Sequence, residues 1–350
     1  MRNRFRKSII VEMKNMNIRQ LAKELGLSVS TVSKVFNKSH EISEETKKRV
    51  LETAEKMNYT PNPYASSLRG RKTKTIAVVI PEVADSFFSL AINGIEAIAQ
   101  DKGYHVLIYL THESFQKEQA ILKDFQSGRV DGILMSVSRE TIYSDHIKAV
   151  IAKEIPMVFF DRICEDVQTA RITTNDFECG YLATKHLAEK GCRNIAYLSI
   201  SSSLAISNNR MKGYKKALME FKIPFEEGNI VDCDNDYNDN YEAIKNLLDN
   251  NMRPDGIIAC VEKFTTPIYL ACRDLNLSIP RDVKVISFSN LEPATILNPS
   301  LTTITQPAFE IGKAAATILF KSFEKKSFKL ELESIVLPST LVVRDSTLKV

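Results

Sequence analysis

Residues 21–37 of the chain read LAKELGLSVSTVSKVFN. The spacing of the apolar residues is helical, yet the segment contains four small hydroxyl-bearing residues, Ser28, Ser30, Thr31 and Ser33. Serine and threonine are mediocre helix formers and are typical of positions where a side chain contacts a polar partner. The stretch therefore predicts a helix whose surface meets something polar.

Three short helices are predicted around this stretch. Asn17, Ser28 and Ser43 are suitable N-caps, and Gly26 can supply the left-handed turn that ends the first helix. The inward faces are predicted to carry Ile18, Leu21, Ala22 and Leu25, then Val32, Val35 and Phe36, then Val50, Leu51, Ala54 and Met57. The second helix is expected to turn Val29, Ser30, Ser33 and Lys34 outward. This is the pattern of a helix-turn-helix with a supporting third helix, which places its second helix in the major groove of DNA.

The charge distribution supports a polyanionic partner. Residues 1–75 contain 17 Lys and Arg against 7 Asp and Glu, a balance of +10, whereas the whole chain carries only +4. A solvated basic face is the ordinary explanation of a short basic run. A strongly basic segment on a slightly acidic body more often marks contact with nucleic acid.

Composition excludes several classes of protein. No apolar run approaches the roughly 20 residues that span a bilayer, and the apolar patch 8–11 is too short for a signal peptide. The six cysteines include no CxxC pair, which favours buried thiols in a reducing compartment over disulfides or zinc. At 350 residues, two or three domains are expected. A cytoplasmic protein with no metal and no cofactor is therefore predicted.

Two segments resemble the headpiece and hinge of the LacI/GalR transcription regulators: IRQLAKELGLSVSTVSKVFN (18–37) and ISEETKKRVLETAEKMNYTPNPYASSLR (42–69). The resemblance implies that Val29, Ser30 and Lys34 read bases. It also implies DNA-backbone contacts by Asn17, Ser28, Thr31, Ser33, Asn37 and Ser43. Many members of the family carry Arg where this chain has Lys34, and a lysine reads guanine less rigidly than the arginine fork does.

The segment 61–74, PNPYASSLRGRKTK, can be interpreted as a linker or as a second DNA contact. Asn62 as cap and Pro63 at the first helical position allow one short helix that carries Ala65 and Leu68 on one face. In the resembled family this hinge helix forms on operator DNA, and its leucine wedges into a minor-groove base step. The resulting division is a disordered extension at 1–15, a headpiece at 16–60, the hinge and linker at 61–74, and an effector-binding and dimerisation domain at 75–350.

Beyond residue 75, apolar runs of the buried-strand type alternate with amphipathic helical stretches. The runs are TIAVVIPEV, HVLIYL, DGILMSV, PMVFFDR, NIAYLSI, NIVDCD, DGIIACV and VKVISFS. Alternation at this spacing predicts α/β architecture with parallel, doubly wound sheets, and the span is long enough for two of them. The chain also resembles the type I periplasmic-binding-protein fold here, in blocks such as NNRMKGYKKAL, PRDVKVISFSN and LTTITQP.

Ligands of such folds bind at the carboxyl ends of the strands, between the lobes. The strand ends carry Asp85 to Phe88, Ser136, Asp161, Arg162, Arg210, Ser289 and Gln306. By the resemblance, the predicted effector site comprises Phe87, Phe88, Ser136, Asp161, Arg210, Tyr237, Ser289 and Gln306, and a sugar is the expected ligand. The chain departs from the family at Val261-Glu262, where members often have Asn-Asp, and at Ser289-Asn290, where they often have two acids.

The sequence disfavours two rival functions. An α/β enzyme with an accessory nucleic-acid-binding segment is disfavoured, because no GxGxxG, P-loop, HExxH or GxSxG motif is present and no catalytic residues are predicted. A secreted solute-binding protein shares the fold, but the basic headpiece argues against it. The sequence thus predicts an effector-controlled repressor of operator DNA. A homodimer is expected, because each headpiece reads one half-site and the ending RDSTLKV contains no leucine heptad.

Overall fold

The computed structural model describes residues 17–36, 41–57, 59, 73–233, 236–325 and 327–348. The chain divides into two compact units, residues 1–73 and 74–350. The predicted extension at 1–15 lies outside the described residues, as do Asn37, Asn62, Ala65 and Leu68. None of the helices in the described part of the chain is both long enough and apolar enough to cross a membrane.

The described residues of the first unit form three helices, α1 (Ile18–Leu25), α2 (Val29–Phe36) and α3 (Glu44–Lys56). Their bounds follow from local chemistry. The side chain of Asn17 accepts hydrogen bonds from the backbone N–H groups of Arg19 and Gln20, and Gln20 returns one to the Asn17 N–H, which completes a capping box. Gly26 ends α1 in the left-handed region, at φ 63°. The core residues are Leu21, Ala22, Val32, Val35, Val50 and Ala54.

The prediction for Leu51 is wrong. Leu51 was expected on the inward face of α3, but 51% of its surface is exposed. Successive helical residues point about 100° apart, so Val50 and Leu51 cannot both face a small core. Val50 occupies the inward position with no exposed surface, and Ala54 follows one turn later.

The second unit contains two six-stranded sheets, one in each of two lobes. The strands are β1 (Thr75–Ile80), β2 (His105–Leu110), β3 (Gly132–Met135), β4 (Met157–Phe160), β5 (Ala170–Thr174), β6 (Ile195–Ser199), β7 (Ile230–Asp232), β8 (Gly256–Ala259), β9 (Lys284–Phe288), β10 (Thr302–Thr305), β11 (Ser334–Leu337) and β12 (Thr340–Val342). All eight predicted apolar runs form strands. The first sheet has the order β11-β5-β4-β3-β1-β2 and the second β12-β10-β9-β8-β6-β7. Among the described strands, every pairing is parallel except that of β10 with β12, which confirms the predicted α/β class.

The helices of this unit are α4 (Ser86–Asp101), α5 (Phe115–Phe125), α6 (Asp145–Ile151), α7 (Asp176–Glu189), α8 (Ala205–Glu220), α9 (Tyr237–Leu248), α10 (Thr265–Asp274) and α11 (Ala308–Glu324). The chain passes from the first sheet to the second after β5. It returns to the first lobe after β10, where α11 packs on α4 and β11 pairs with β5. It then enters the second sheet again as β12. Residues at the carboxyl ends of strands in both lobes thus line one cleft.

Helices α7 and α8 touch backbone to backbone. A Cβ on Gly180 of α7 would lie 2.1 Å from the carbonyl oxygen of Arg210 on α8, and one on Gly213 would lie 2.0 Å from that of Phe177. Any larger residue would push these helices apart. The close approach therefore fixes the position of Arg210 on α8 relative to α7.

Gly180→Ala is expected to lower the free energy of unfolding by about 1–3 kcal/mol, because overpacking must separate α7 from α8. Thermal or urea unfolding of the full-length protein measures the change. Gly228→Ala in the same lobe is the matched control, since a Cβ there would meet no heavy atom within 4 Å. Equal stability of the two variants would contradict this account of the packing.

Candidate nucleic-acid interface and effector site

The N-termini of the three headpiece helices carry predicted DNA contacts. Asn17, Ser28 and Ser43 are the residues that cap α1, α2 and α3. The Oγ of Ser28 accepts from the Thr31 N–H at 3.1 Å, and the Oγ of Ser43 accepts from the Thr46 N–H at 3.3 Å. Backbone N–H groups and the helix dipole make such termini favourable for phosphate. The caps therefore position the groups that a DNA backbone would meet.

Hydroxyl groups form a cluster at the start of α2. The Oγ of Ser28 lies 2.7 Å from that of Ser30 and 2.8 Å from the Oγ1 of Thr31. Val29 differs from its prediction, because it is half-buried and packs against the headpiece core instead of turning fully outward. Ser33 is also half-buried. Only part of the Val29 side chain remains available to a base.

Lys34 is the predicted base-reading cation. Its side chain is 49% exposed and forms an ion pair with Glu41 in the DNA-free protein. The hydrogen bond and the charge of Lys34 lower the pKa of Glu41. Lys34 must therefore break its ion pair with Glu41 in order to contact a base edge in DNA.

The predicted effector residues converge in part. An inner cavity of about 20 Å³ lies between the lobes. It is lined by six of the eight predicted residues, Phe87, Phe88, Asp161, Arg210, Ser289 and Gln306. Ser136 is fully buried beside it, and its Oγ donates to Asp161 at 3.5 Å. Tyr237 is 47% exposed at the start of α9 and does not line this cavity.

Arg210 is buried with only 2% of its surface exposed. Its Nε donates to Asp176 at 2.7 Å and its Nη1 to the carbonyl oxygen of Cys260 at 2.6 Å. The guanidinium also lies 4.2 Å from the centre of the Phe288 ring. Burial opposes the charge, but Asp176 and Asp161 raise the pKa of Arg210 above its ordinary value. Its Nη2 has no hydrogen-bond partner among the described residues, so one edge of the fork remains for a ligand.

Asp161 follows β4 in a left-handed conformation, at φ 60°. Such backbone is uncommon outside glycine and occurs often at functional sites. Burial raises the pKa of Asp161 to about 6, although Arg162 and Arg210 act to lower it. Arg162 turns its Nη1 to both oxygens of Glu113, at 2.8 and 2.9 Å. Its Nε lies 3.8 Å from Asp161 and, within the described chain, makes no hydrogen bond.

Glu262 is the main site residue that the sequence did not predict. Its Oε1 accepts from the Ser86 N–H of the first lobe at 3.0 Å. Its Oε2 accepts from the Ser289 hydroxyl and the Asn290 N–H of the second lobe, both at 2.9 Å. The two departures from the family pattern are thus one arrangement, in which Glu262 supplies a carboxylate beside Ser289. Its place directly after the strand DGIIACV was the available signal.

A larger acidic cavity, of about 190 Å³, adjoins the inner one and shares with it Asp85, Phe88, Arg162, Val261 and Glu262. Its charged lining residues are Glu82, Asp85, Glu113, Arg162, Glu262 and Lys263. The Oδ1 of Asp85 caps α4 by accepting from the Phe87 N–H at 2.9 Å. Burial and the nearby Glu262 raise the pKa of Asp85 to about 6.

Asp161→Asn is expected to gain stability relative to the wild type as pH rises from about 4 to 7. The folded-state pKa of about 6 lies above the ordinary 3.8, so the folded state favours protonated Asp161. The stabilising contribution of this carboxyl is present at low pH and is lost as pH rises through about 6. Melting temperatures across this range test the trend, with exposed Asp101→Asn as control. A melting temperature of Asp161→Asn that falls relative to that of the wild type as pH rises would contradict it.

The chain matches known proteins over most of its length. Residues 73–336 match the family described as periplasmic binding proteins and sugar binding domain of LacI family, and residues 17–62 match bacterial regulatory proteins, lacI family. Catabolite control protein A of Priestia megaterium is 30% identical over 95% of this chain and 99% of its own. The ribose operon repressor of Haemophilus influenzae is 31% identical, covering 94% and 98%.

A solved structure shows the same fold. The lac repressor dimer bound to operator and the anti-inducer ONPF superposes with a TM-score of 0.81 at 22% identity, covering 96% of this chain and 100% of that one. The family models span both units of the chain, and the cleft lies at the strand ends where this fold binds its ligands. The chain belongs to the LacI family of bacterial transcription regulators.

Proposed function

We propose that the protein is a cytoplasmic, homodimeric repressor that reads operator DNA with α2 and responds to a small polyhydroxylated effector bound between the lobes. One observation carries the effector assignment: the free Nη2 of Arg210 and the carboxylate of Asp161 line the same interlobe cavity. A guanidinium edge donates to hydroxyl oxygens, and a carboxylate accepts from hydroxyl groups. The pair suits a sugar or sugar derivative.

Effector control follows from the position of the cavity. A ligand that touches both lobes favours one lobe arrangement over another, and it can shift DNA affinity only by that difference, typically about 1–3 kcal/mol. The hinge residues Asn62, Ala65 and Leu68 are the proposed connection to DNA. We infer no catalytic role, because the relatives at 30% and 31% identity are named as a control protein and a repressor.

The dimer is supported by the operator-bound lac repressor, which is a dimer. The described structure adds a physical reason. Leu107 and Ile108 of the edge strand β2 are 37% and 45% exposed, and exposed apolar edges favour association. Light scattering of the full-length protein at micromolar concentration should give the mass of a dimer. A monomer or a stable tetramer would contradict this part of the proposal.

Lys34→Ala is expected to weaken binding to the preferred half-site by about 1–3 kcal/mol and to level the preference at one base pair. The operator is selected from random double-stranded DNA with the full-length protein. Fluorescence anisotropy on all base substitutions of the half-site then measures the change.

The control for this experiment is Lys48→Ala on α3, which removes the same charge from a side chain that is 79% exposed. Loss of a lysine charge alone weakens specific and non-specific binding together. Lys48→Ala should therefore leave the base preference intact. If Lys34→Ala also keeps the full base preference, then α2 reads DNA without this residue.

A further inference from the structure

The cleft contains more acidic than basic groups. The two cavities are lined by five carboxylates, those of Glu82, Asp85, Glu113, Asp161 and Glu262, and by three cations, those of Arg162, Arg210 and Lys263. Both arginines are engaged by acids of their own lobes, Arg162 by Glu113 and Arg210 by Asp176. The surplus negative charge therefore falls on the acidic cavity.

Asp85 and Glu262 are the centre of this surplus. The hydrogen bonds that they accept come from neutral donors, namely the N–H groups of Phe87, Ser86 and Asn290 and the hydroxyl of Ser289. Burial and, next to it, the charge of Glu262 raise the pKa of Asp85. The same field that raises the affinity of Asp85 for a proton also attracts another cation.

The inner cavity, which Asp85 and Glu262 also line, contains unpaired hydrogen-bond donors as well. Arg162, Arg210 and Gln306 expose only 6%, 2% and 7% of their surfaces. One buried donor of each side chain has no hydrogen-bond partner among the described residues. These donors are Nε of Arg162, Nη2 of Arg210 and Nε2 of Gln306. All three residues line the inner cavity, and Arg162 lines the acidic one as well. Unpaired buried donors are costly, so a ligand that supplies acceptor oxygens there is favoured.

We propose that the effector is a small polyhydroxylated molecule with a protonated amine, of the amino-sugar class. One of its hydroxyl groups accepts from Arg210, Arg162 and Gln306 in the inner cavity, which at about 20 Å³ admits a group the size of a water molecule. Its ammonium group lies in the acidic cavity and donates to Asp85 and Glu262. The inference rests on the proposed function and adds the chemical class of the ligand, with Glu262 as the residue that determines specificity.

Two competing ligand classes fit less well. The described residues contain no group of three His, Cys, Asp or Glu side chains placed to hold a metal ion, which disfavours a divalent cation. A neutral sugar would satisfy the donors of the inner cavity but would leave the Asp85–Glu262 pair uncompensated. The acidic cavity, at about 190 Å³, is smaller than the roughly 300–1,000 Å³ of pockets for drug-sized ligands. A ligand of monosaccharide size is therefore favoured.

Glu262 also connects recognition to lobe closure. Its two oxygens accept hydrogen bonds from different lobes, from Ser86 in the first and from Ser289 in the second. An ammonium group that binds Glu262 acts on the atoms that join the lobes. Selection of the ligand and the conformational response thus depend on one side chain.

The test is calorimetric titration of the full-length protein at pH 7.5 with glucosamine, galactosamine and mannosamine. Each is compared with its neutral parent sugar and with its N-acetyl form, which keeps the hydroxyls but removes the charge. At least one amino sugar should bind about tenfold or more tightly than both matched compounds. Glu262→Gln and Asp85→Asn should each reduce the ratio of amino-sugar affinity to neutral-parent affinity to about threefold or less.

Glu292→Gln is the matched control, because this exposed carboxylate follows β9 but lines neither cavity. It should keep the full preference for the amine. Lowering the pH should remove the preference in the wild type as pH falls through about 6, since Asp85, which faces Glu262, Arg162 and Glu82, then gains a proton. The ligand amine can only gain protons as the pH falls, so a loss of preference reports on the protein.

The inference is overturned if the neutral parents bind as tightly as the amino sugars, if the preference survives in both variants, or if no amino sugar binds. The proposed function is judged separately, by operator binding and its response to ligand. A neutral sugar that binds the cleft and shifts operator affinity would uphold the proposed function. It would overturn only the inference that the effector carries an amine. Failure to bind any selected operator would contradict the proposed function itself.

Discussion

The buried ion pair of Arg210 with Asp176 is the interaction on which the effector cleft depends. It joins α7 to α8 where Gly180 and Gly213 allow the two backbones to touch. The carbonyl oxygen of Cys260 at the end of β8 accepts from the same guanidinium. One side chain thus ties two helices and a strand end together. Removing one partner of such a pair is strongly destabilising, because the other charge stays buried.

The cleft itself is built at some cost in stability. Asp161 and Glu113 occupy left-handed backbone at φ 60° and 62°, and the pKa values of Asp85 and Asp161 are raised to about 6 by burial. Three buried donors also lack partners within the described chain. Strain and unsatisfied polar groups are typical of sites that a ligand completes.

The departures from the family pattern gain a physical meaning in three dimensions. Taken separately, Glu262 in place of an aspartate and Ser289-Asn290 in place of two acids weaken the assignment of a site. In the fold the two departures are in contact. The Glu262 carboxylate accepts hydrogen bonds from the Ser289 hydroxyl and from the Asn290 N–H. The same carboxylate reaches the N-terminus of α4 in the other lobe.

Local chemistry in the sequence was sufficient to place the headpiece helices, because caps such as Asn17, Ser28 and Ser43 and the turn at Gly26 act within a few residues. Continuous apolar runs likewise predicted the buried strands. Strands without such runs were missed, as in β5, where Arg171 and Thr173 alternate with buried residues. The site was predicted only in part. Arg210 contacts Asp176 across 34 positions and Glu262 contacts Ser86 across 176, and no local pattern encodes contacts that only the packing of helices and lobes creates.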